Sequence, residues 1–549
     1  MRTVLSRFSV LLACFGVACG GAPAPPEAGE LPLDEIRGEQ IAAHLKFLSH
    51  DLLEGRAPST RGGALAAEYL ATQLAVFGVE PAGESGTYFQ QLSIIEATVE
   101  PSFVLSVAGG PRFRYLDDVV AVSGIQRPKV TFDGDVVFVG HGIVAPELKW
   151  DDYAGVEMTG RIALVMVNDP PAPPDEPQLF GGEALTYYGR WTYKLEEAAR
   201  QGALGAILIH TTESATYPWQ VVQTSWSGTQ YALPVREGEL ALALESWVTE
   251  DAARVLARHG GHDLDALRKT ALQRGAKPVP LGVRVSGVIS QTLSEKTTPN
   301  VIGVVRGNTA KDQGVMYTAH YDHLGMTEPV GGKETDRIHN GAIDNAAGVA
   351  GVLEIAEAFA RARARPHRSI YFVFTAAEES GLLGAEHLAA HLPLPADQWT
   401  ANINIDGLNL AGRTKDVVLL GAERSSLGAI ASELASRHAR VLGPDPEPGR
   451  GYFFRSDHFP LAKVGIPAVS LGESTQYIGK DPGFAKTLRD EYNEKDYHQP
   501  SDEFKTTWDY SGAVEDLRFL AELGWRISDQ RELPAYNAGD QFAAPRAGK

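Results

Sequence analysis

Two adjacent glutamates follow a run of apolar residues in FVFTAAEESGLLG, residues 372–384. The start of this segment is typical of a buried strand, which ends shortly before Glu378 and Glu379. Carboxylates and histidines can hold metal ions or transfer protons. The paired carboxylates therefore predict chemistry at the end of a strand.

Other candidate residues stand at comparable points of the chain. His320 and Asp322 end the strand in TAHYDHLG, and Asp406 ends the strand in NINID. Asp344 stands where a helix begins in NGAIDNAAG, and His498 lies in the turn-rich segment EKDYHQPSDEF. Each alone has an ordinary explanation, as a helix N-cap or a solvated surface group. Ligands of open α/β sheets collect at the carboxyl ends of the strands, so together these residues favour one shared site.

The residue types at this site indicate metal-assisted hydrolysis. Two histidines and three carboxylates, one of them bridging, are enough to hold two divalent ions about 3.5 Å apart. Nitrogen and oxygen donors without a thiolate suit Zn²⁺, with Mn²⁺ or Co²⁺ as possible substitutes. Such a metal pair lowers the pKa of a bridging water and polarises a carbonyl, which is hydrolase chemistry.

The elements that must position these residues alternate along the chain after about residue 299. Apolar strands such as GVMYTAH and RSIYFVFTA are separated by helical patterns such as NAAGVAGVLEIAEAFARARA. Continuous apolar strands between amphipathic helices predict an α/β fold with a mixed, mostly parallel central sheet and helices on both faces. We predict that residues 35–128 and 290–530 form this domain and that residues 531–549, rich in Gly, Pro and Ala, form a loose tail.

Residues 129–289 are predicted to be an inserted unit. GDVVFVGHGI and GRIALVMVND have strand patterns, and YKLEEAARQGALGAILIHTT predicts a helix followed by a strand. This segment resembles the protease-associated domain, which is inserted in several exopeptidases and receptors. A generic α/β insertion is the alternative.

Six motifs together resemble the ordered motif set of the two-zinc exopeptidases of clan MH. They are AHYDHLG, NGAIDNAAG, AAEESGLLGAE, NINIDGLN, FRSDHFPLAKVGIPAVSL and DYHQPSDEF. That group includes bacterial leucyl aminopeptidases and glutamate carboxypeptidases, and the resemblance covers about residues 40–125 and 290–525. It implies a zinc exopeptidase fold, two zinc ions and peptide substrates.

The resemblance also implies a role for each residue. It assigns His320 and Asp406 to one zinc, Glu379 and His498 to the other, and Asp344 to both as the bridging ligand. Glu378 would be the general base that takes a proton from the bridging water and delivers it to the leaving amine.

Further residues would support this centre. Asp322 would orient the imidazole of His320, and Asp502 would act similarly near His498. Tyr452 would bind the substrate oxyanion, with a core aromatic as the alternative, because Phe453 occupies the aligned position.

The sequence departs from the common motifs at two positions. Ile343 and Ala347 stand where relatives often have Asp and Ser. Neither position provides a metal ligand, so the predicted ligand set is unaffected.

Two other motifs are poorer candidates. EHLAAH places His387 and His391 four residues apart, but a thermolysin-like zinc helix needs Glu directly after the first His. Ser456, Asp457 and His458 are consecutive, whereas a serine hydrolase triad needs side chains from separate elements.

An aminopeptidase is the main functional prediction. A carboxypeptidase or dipeptidase on the same metal site remains open, because the ligands do not encode which peptide end is bound. A catalytically inactive, receptor-like binding protein and a glutaminyl cyclase are further alternatives.

Composition and the N-terminus restrict partners and location. The chain has 549 residues and a formal net charge of −19, which argues against nucleic acid as a partner. Cys14 and Cys19 are the only cysteines, so a disulfide framework is excluded. Residues 1–19 resemble a signal peptide of the lipoprotein type, with residues 20–34 as a flexible tether.

These N-terminal features predict an exported protein. Lipidation of Cys19, or of Cys14, would anchor it to a membrane as a periplasmic or outer-membrane lipoprotein. A plain secretory signal and a secreted protein are the alternative, and the oligomeric state is not predicted.

Overall fold

The computed structural model describes residues 31–215, 217–236, 238–326 and 336–543. The predicted signal peptide, Cys14, Cys19 and most of the tether lie outside these residues and stay predictions. No helix among the described residues is long and apolar enough to cross a membrane.

The α-helices of the described residues are numbered in chain order. They are α1 (Gly38–Leu48), α2 (Arg61–Phe77), α3 (Trp191–Arg200), α4 (Thr212–Ala215), α5 (Trp219–Ser225), α6 (Glu250–His259), α7 (Leu264–Ala271), α8 (Gly348–Ala360), α9 (Leu383–Ala390), α10 (Leu427–Arg437), α11 (His458–Lys463), α12 (Phe484–Lys495) and α13 (Ser511–Ser528).

The strands of the same residues follow in chain order. They are β1 (Glu80–Pro81), β2 (Phe89–Val99), β3 (Val104–Val107), β4 (Arg112–Arg114), β5 (Val119–Val122), β6 (Lys129–Phe138), β7 (Val144–Ala145), β8 (Trp150–Asp151), β9 (Arg161–Met166), β10 (Gly205–His210), β11 (Thr229–Ala232), β12 (Leu244–Thr249), β13 (Val279–Val305), β14 (Ala310–His320), β15 (Gly325–Met326), β16 (Ile338–His339), β17 (Arg368–Thr375), β18 (Trp399–Asn404), β19 (Asp416–Leu420), β20 (Val441–Gly443) and β21 (Ala468–Gly472).

The main sheet has the order β11-β2-β13-β17-β14-β18-β21-β19-β20. Its central strands β17, β14, β18 and β21 are parallel, and β13 and β2 extend it in antiparallel pairing. Parallel strands end at one edge, so the loops after β14, β17 and β18 meet there. This confirms the predicted α/β class with a mixed, mostly parallel sheet.

Helices cover both faces of the main sheet. In β17, Ile370, Phe372 and Phe374 pack in the core under α1, α2, α8, α10 and α13. The alternate residues Tyr371 and Val373 pack on the other face, with Leu388 of α9 and Leu461 of α11. Successive side chains of a strand point to opposite faces of the sheet, so β17 contributes apolar side chains to the core on each face. This explains the continuous apolar run in its sequence.

The inserted unit has its own sheet, ordered β4-β3-β13-β6-β9-β10-β12-β5. The long strand β13 joins the two sheets, because residues 279–290 pair with β6 and residues 291–301 pair with β2. The predicted boundary at residue 129 is wrong, since β3, β4 and β5 pair within the inserted sheet. The α/β character of the unit agrees with the prediction, and its protease-associated assignment stays a prediction.

The C-terminal segment is packed rather than loose as far as the structure describes it. Tyr536 and Phe542 are buried, and the Tyr536 hydroxyl donates a hydrogen bond to the Ile466 carbonyl at 2.9 Å. The Phe542 ring lies 6.1 Å from the Phe453 ring, and Asp540 pairs with Arg424 at 3.1 Å. The prediction of a loose tail over residues 531–549 is therefore wrong for residues 531–543, where two aromatic side chains bury apolar surface.

Candidate metal centre

The five predicted ligands meet at the carboxyl edge of the main sheet. His320 is the last residue of β14, and Asp406 follows β18. Glu379 follows β17, Asp344 lies in the turn before α8, and His498 follows α12. The sequence contains no strong signal for α12, so sequence analysis placed His498 in a loop without the helix that delivers it.

Asp344 stands between the two histidines. Its Oδ1 lies 3.3 Å from His320 Nε2, and its Oδ2 lies 3.4 Å from His498 Nε2. His320 Nε2 is also 3.3 Å from Asp406 Oδ1, and His498 Nε2 is 3.0 Å from Glu379 Oε2. Each carboxylate oxygen of Asp344 therefore faces one of two neighbouring groups of donors, as a bridging ligand must.

Three of these four separations fit zinc, and the distance of 3.0 Å between His498 and Glu379 is shorter. A tetrahedral zinc ion with ligands at about 2.0–2.2 Å keeps neighbouring ligand atoms about 3.3–3.6 Å apart. Ligand atoms from His320, Asp344 and Glu379 also lie within 4.8 Å of one another, as do those from His320, Glu378 and Asp406. The imidazole and carboxylate donors are those that zinc binds in hydrolases.

The turn that carries Asp344 is fixed by hydrogen bonds. Asp502 accepts from the main-chain N–H groups of Ile343 at 3.0 Å and Asp344 at 3.1 Å. Asn345, which is buried, donates to the Ile405 carbonyl at 3.0 Å and accepts from the Gly407 N–H at 2.8 Å. Asn345 thus ties the bridging turn to the segment of Asp406, a role that sequence analysis missed.

The structure corrects the predicted roles of Asp322 and Asp502. The Asp322 carboxylate is 3.9 Å from His320 Nδ1, beyond a hydrogen bond, and accepts instead from the Glu378 N–H at 3.1 Å. The nearer contact of His320 Nδ1 is the Asp322 main-chain oxygen, at 3.3 Å. Asp502 supports the turn of Asp344 rather than His498. Both carboxylates thus fix main-chain groups beside the centre, because the loops direct N–H groups towards them.

His323 is a further side chain at the centre that sequence analysis missed. Its Nδ1 lies 2.6 Å from Glu379 Oε1, while Oε2 of the same carboxylate faces His498. The only sequence signal is its position in AHYDHLG, three residues after His320. His323 leaves one oxygen of Glu379 available to a metal ion.

The charges at the centre shift the pKa values of its groups. Burial and Asp344 oppose ionisation of Glu379, but His498 and His323 outweigh them and lower its pKa to about 2. Burial opposes protonation of His498, yet Glu379 and Asp344 raise its pKa to about 10. Burial raises the pKa of Glu378 well above its ordinary value, opposed by His320 and reinforced by Glu379 and Asp406. The acidic side chains of the centre thus favour bound cations.

Glu378 lines a cavity of about 400 Å³ together with Asp344, Glu379, Asp406 and His498. Its Oε2 lies 4.0 Å from His320 Nε2. Five leucines are among the remaining lining residues, and the inserted unit adds one aromatic residue. These lining residues are Leu408, Leu410, Leu420, Leu471, Leu488 and Tyr217.

Tyr452 also lines this cavity, whereas Phe453 is buried in the core. The Tyr452 hydroxyl accepts a hydrogen bond from Arg450 at 3.3 Å, and the Arg455 guanidinium lies 5.4 Å from the ring centre. Its place in the cavity wall is compatible with the predicted substrate contact. Tyr497, which sequence analysis missed, stacks on the His498 ring at 4.0 Å.

The poorer candidates do not form catalytic groups. Ser456 Oγ accepts a hydrogen bond from Asn404 Nδ2 at 2.8 Å, and Asp457 accepts from Thr375 Oγ1 at 2.6 Å, so no serine triad exists at this motif. The rings of His387 and His391 stack on each other at 4.3 Å on α9.

Comparison with known proteins identifies this part of the chain. Residues 300–520 match the model of peptidase family M28, and they contain all five proposed ligands and Glu378. These residues form a peptidase family M28 domain. The match confirms the resemblance to the clan MH exopeptidases. The fold of the M28 domain and its insertion is similar to that of an aminopeptidase from Aneurinibacillus sp. strain AM-1, with a TM-score of 0.50 and 18% identity over 92% of this chain and 96% of that chain.

Curated relatives match shorter segments. Aminopeptidase NAALADL1 of Mus musculus is 31% identical over 132 residues, 23% of this chain and 16% of that protein. A probable zinc metalloprotease of Pyrenophora teres f. teres is 34% identical over 106 residues, 19% of this chain and 22% of that protein. The chain thus spans less than a quarter of either relative.

Proposed function

We propose that the protein is a zinc-dependent exopeptidase with two metal ions, and that it acts as an aminopeptidase. The observation that carries the proposal is Asp344, whose two oxygens lie 3.3 Å from His320 and 3.4 Å from His498. The M28 match and the aminopeptidase and metalloprotease names of the relatives support it.

The proposed metal ligands and Glu378 have different roles in the reaction. Two bound zinc ions supply Lewis acidity that activates a water molecule and polarises the scissile carbonyl. Glu378 takes the proton of that water and delivers it to the leaving amine. Its carboxylate is placed for this step because it lines the cavity beside the ligands, with its main-chain N–H held by Asp322 at 3.1 Å.

The cavity supports cleavage at a chain end. Its volume of about 400 Å³ is within the range of pockets that enclose small ligands. A pocket of this size accommodates a terminal residue with its neighbour, and its leucines suit an apolar side chain.

A carboxypeptidase or dipeptidase is the second candidate, and two arginines favour it. Arg455 lines the cavity with Glu378. Arg190 of the inserted unit has a buried Nε that makes no hydrogen bond within the described residues. Burial and the neighbouring Arg455 lower the Arg190 pKa to about 9, while Tyr217, Tyr497 and Glu378 raise it. A substrate carboxylate beside Glu378 would add a negative charge near Arg190.

The test uses one peptide sequence with free ends, with an acetylated N-terminus and with an amidated C-terminus. The aminopeptidase proposal predicts cleavage of the free and amidated forms and loss of cleavage on acetylation. A carboxypeptidase predicts the opposite pattern, with cleavage of the acetylated peptide and loss on amidation. A dipeptidase would cleave neither blocked form.

Arg190→Ala separates the same alternatives, with Arg437→Ala on the exposed face of α10 as the matched control. If Arg190 binds a substrate carboxylate, KM rises for the peptide with a free C-terminus and stays unchanged for the amidated peptide. Equal effects on both peptides would remove Arg190 from carboxylate recognition.

A further inference from the structure

Arg56 is a buried cation behind the metal centre, in a part of the chain remote from it in sequence. It ends a short helical stretch, Asp51–Arg56, and is 1% exposed. Among the residues that the structure describes, its guanidinium donates hydrogen bonds only to main-chain carbonyls. The acceptors are Leu48 at 2.5 Å, Tyr321 at 2.9 Å, Asn340 at 2.5 Å and Gly341 at 3.0 Å.

Three of these carbonyls, those of Tyr321, Asn340 and Gly341, belong to the two segments that carry His320 and Asp344. Tyr321 directly follows His320, and Gly341 begins the turn that contains Asp344. The neighbouring Ala342 N–H donates to the Asp502 main-chain oxygen at 3.0 Å. One planar guanidinium thus fixes the distance between the end of β14 and the bridging turn, and it joins both to the end of α1.

The turn of Arg56 approaches the metal-site loops closely. Glu54, Gly55 and Arg56 all have positive φ, at 51°, 69° and 52°. A Cβ on Gly55 would lie 2.4 Å from the Gly325 oxygen and 2.7 Å from the His339 oxygen. Only glycine allows this contact. The turn therefore packs against β15 and β16, which lie between Asp322 and Asp344 in the chain.

The charge of Arg56 suits its position. Burial lowers its pKa to about 10, while Asp322, Asp502, Asp344 and Glu379 favour the charged form. Asp322 and Asp502 are also the carboxylates that hold the main chain of Glu378 and Asp344. A fixed cation near them offsets part of their mutual repulsion.

We propose that Arg56 is a positioning residue of the metal centre, which sets zinc affinity by holding the His320 and Asp344 segments at their bridging distance. Within the described residues, its hydrogen bonds reach main-chain carbonyls and no proposed ligand side chain. The inference rests on the proposed metal centre and is independent of which peptide bond, if any, is cleaved.

The test compares Arg56→Lys with Arg368→Lys. Arg368 is also buried and donates to the Ser528 and Gln530 carbonyls at 2.6 Å, but it lies at the opposite end of β17 from Glu378. Zinc affinity is measured by competition with a chromogenic chelator, and melting temperatures are recorded for the zinc-loaded and chelated proteins.

We expect Arg56→Lys to weaken zinc binding about 10–100-fold, as loss of a supporting contact at a metal site does. The melting temperature gained on zinc binding should shrink as well. Arg368→Lys should lower the melting temperatures of both forms equally and leave zinc affinity unchanged. Unchanged zinc affinity in folded Arg56→Lys would overturn the proposal.

If Arg56→Lys does not fold, Gly55→Ala provides the second variant, because it keeps the arginine and displaces its turn. Gly155→Ala is the matched control, since Gly155 has φ 83° and nothing within 4 Å of an added Cβ. The proposal is supported if Gly55→Ala binds zinc more weakly and Gly155→Ala does not. Equal zinc affinity in both variants contradicts it. Zinc binding without peptide hydrolysis would defeat the proposed function but not this inference.

Discussion

Glu378 and Glu379 are neighbours in the chain, yet their carboxylates have different surroundings. Glu379 lies between His323 and His498, at 2.6 and 3.0 Å. Glu378 lines the cavity, and its Oε2 lies 4.0 Å from His320 Nε2. In the proposed function, Glu379 binds a metal ion and Glu378 is available for proton transfer.

Glu378→Gln tests this division at the residue scale. The amide keeps the size of the side chain but cannot accept the proton of the attacking water. We expect unchanged zinc content and a loss of turnover of about 10²–10⁴-fold. Zinc content is measured by elemental analysis and turnover with the peptide that the wild type cleaves best. Retained turnover would remove Glu378 from the base role, and lost zinc would make it a ligand.

The sequence predicted that the five proposed ligands share one site, where the structure also places them, but it did not predict the hydrogen bonds of the residues around them. His320, Asp344, Glu379, Asp406 and His498 were recognisable because each stands in a motif at the end of an element. The partners of Asp322 and Asp502 are main-chain N–H groups, whose directions depend on loop conformations that no motif encodes. The hydrogen bonds from Arg56 to four main-chain carbonyls could not be predicted for the same reason.

At the scale of elements, α8 buries an acid that carries a consequence for stability. Glu354 is 1% exposed and accepts a hydrogen bond from the Arg37 N–H at 3.3 Å. Burial raises its pKa to about 8, reinforced by Glu357 and opposed by Arg37. Burial also lowers the pKa of His44 to about 4, so the contact of 3.7 Å between them joins two neutral groups at pH 7.

Glu354→Gln should therefore change the pH dependence of stability. The unfolded chain releases this proton near pH 4.5 and the folded protein near pH 8, so the wild type loses stability as pH rises through this window. The variant lacks this loss and should gain on the order of 1–3 kcal/mol relative to the wild type between pH 5 and pH 9. Denaturant midpoints measure the difference. Glu68→Gln, at an exposed position of α2, is the control. If the difference in unfolding free energy between Glu354→Gln and the wild type did not change with pH, the raised pKa of Glu354 would be refuted.

The C-terminal segment gives a second prediction at this scale. Phe542 is 5% exposed and contacts Phe453, Phe459 and the Arg424 guanidinium. Phe542→Ala should destabilise the protein by about 3 kcal/mol through lost burial. Val441→Ala, at an exposed apolar position, should have little effect. A melting temperature equal to that of the wild type would restore the interpretation of a loose tail.

The elements were predicted with uneven success for physical reasons. β17 and α8 were recognisable because each contains an uninterrupted apolar run, residues 370–374 and 348–353. The boundary at residue 129 was misplaced because neither β3 nor β5 differs in composition from a strand of the main sheet. The tail was misjudged because its composition is polar apart from a few anchoring aromatics.

At the scale of the whole molecule, the metal centre gathers many of the acidic groups that the main sheet buries. The chain has a formal net charge of −19, and Asp322, Asp344, Glu379 and Asp502 lie close together behind or within the centre. Bound cations would offset this charge and stabilise the folded protein in proportion to their affinity. Zinc should therefore support both the fold and the chemistry.

Zinc titration of the chelated protein, with bound zinc and peptide hydrolysis measured in the same samples, tests the central claim most directly. The two-metal account predicts that chelation abolishes hydrolysis and that two zinc ions per chain restore it. In parallel, Glu378→Gln should bind the same two ions without recovering hydrolysis. Hydrolysis that survives complete chelation, or full recovery with a single zinc ion per chain, would contradict the account.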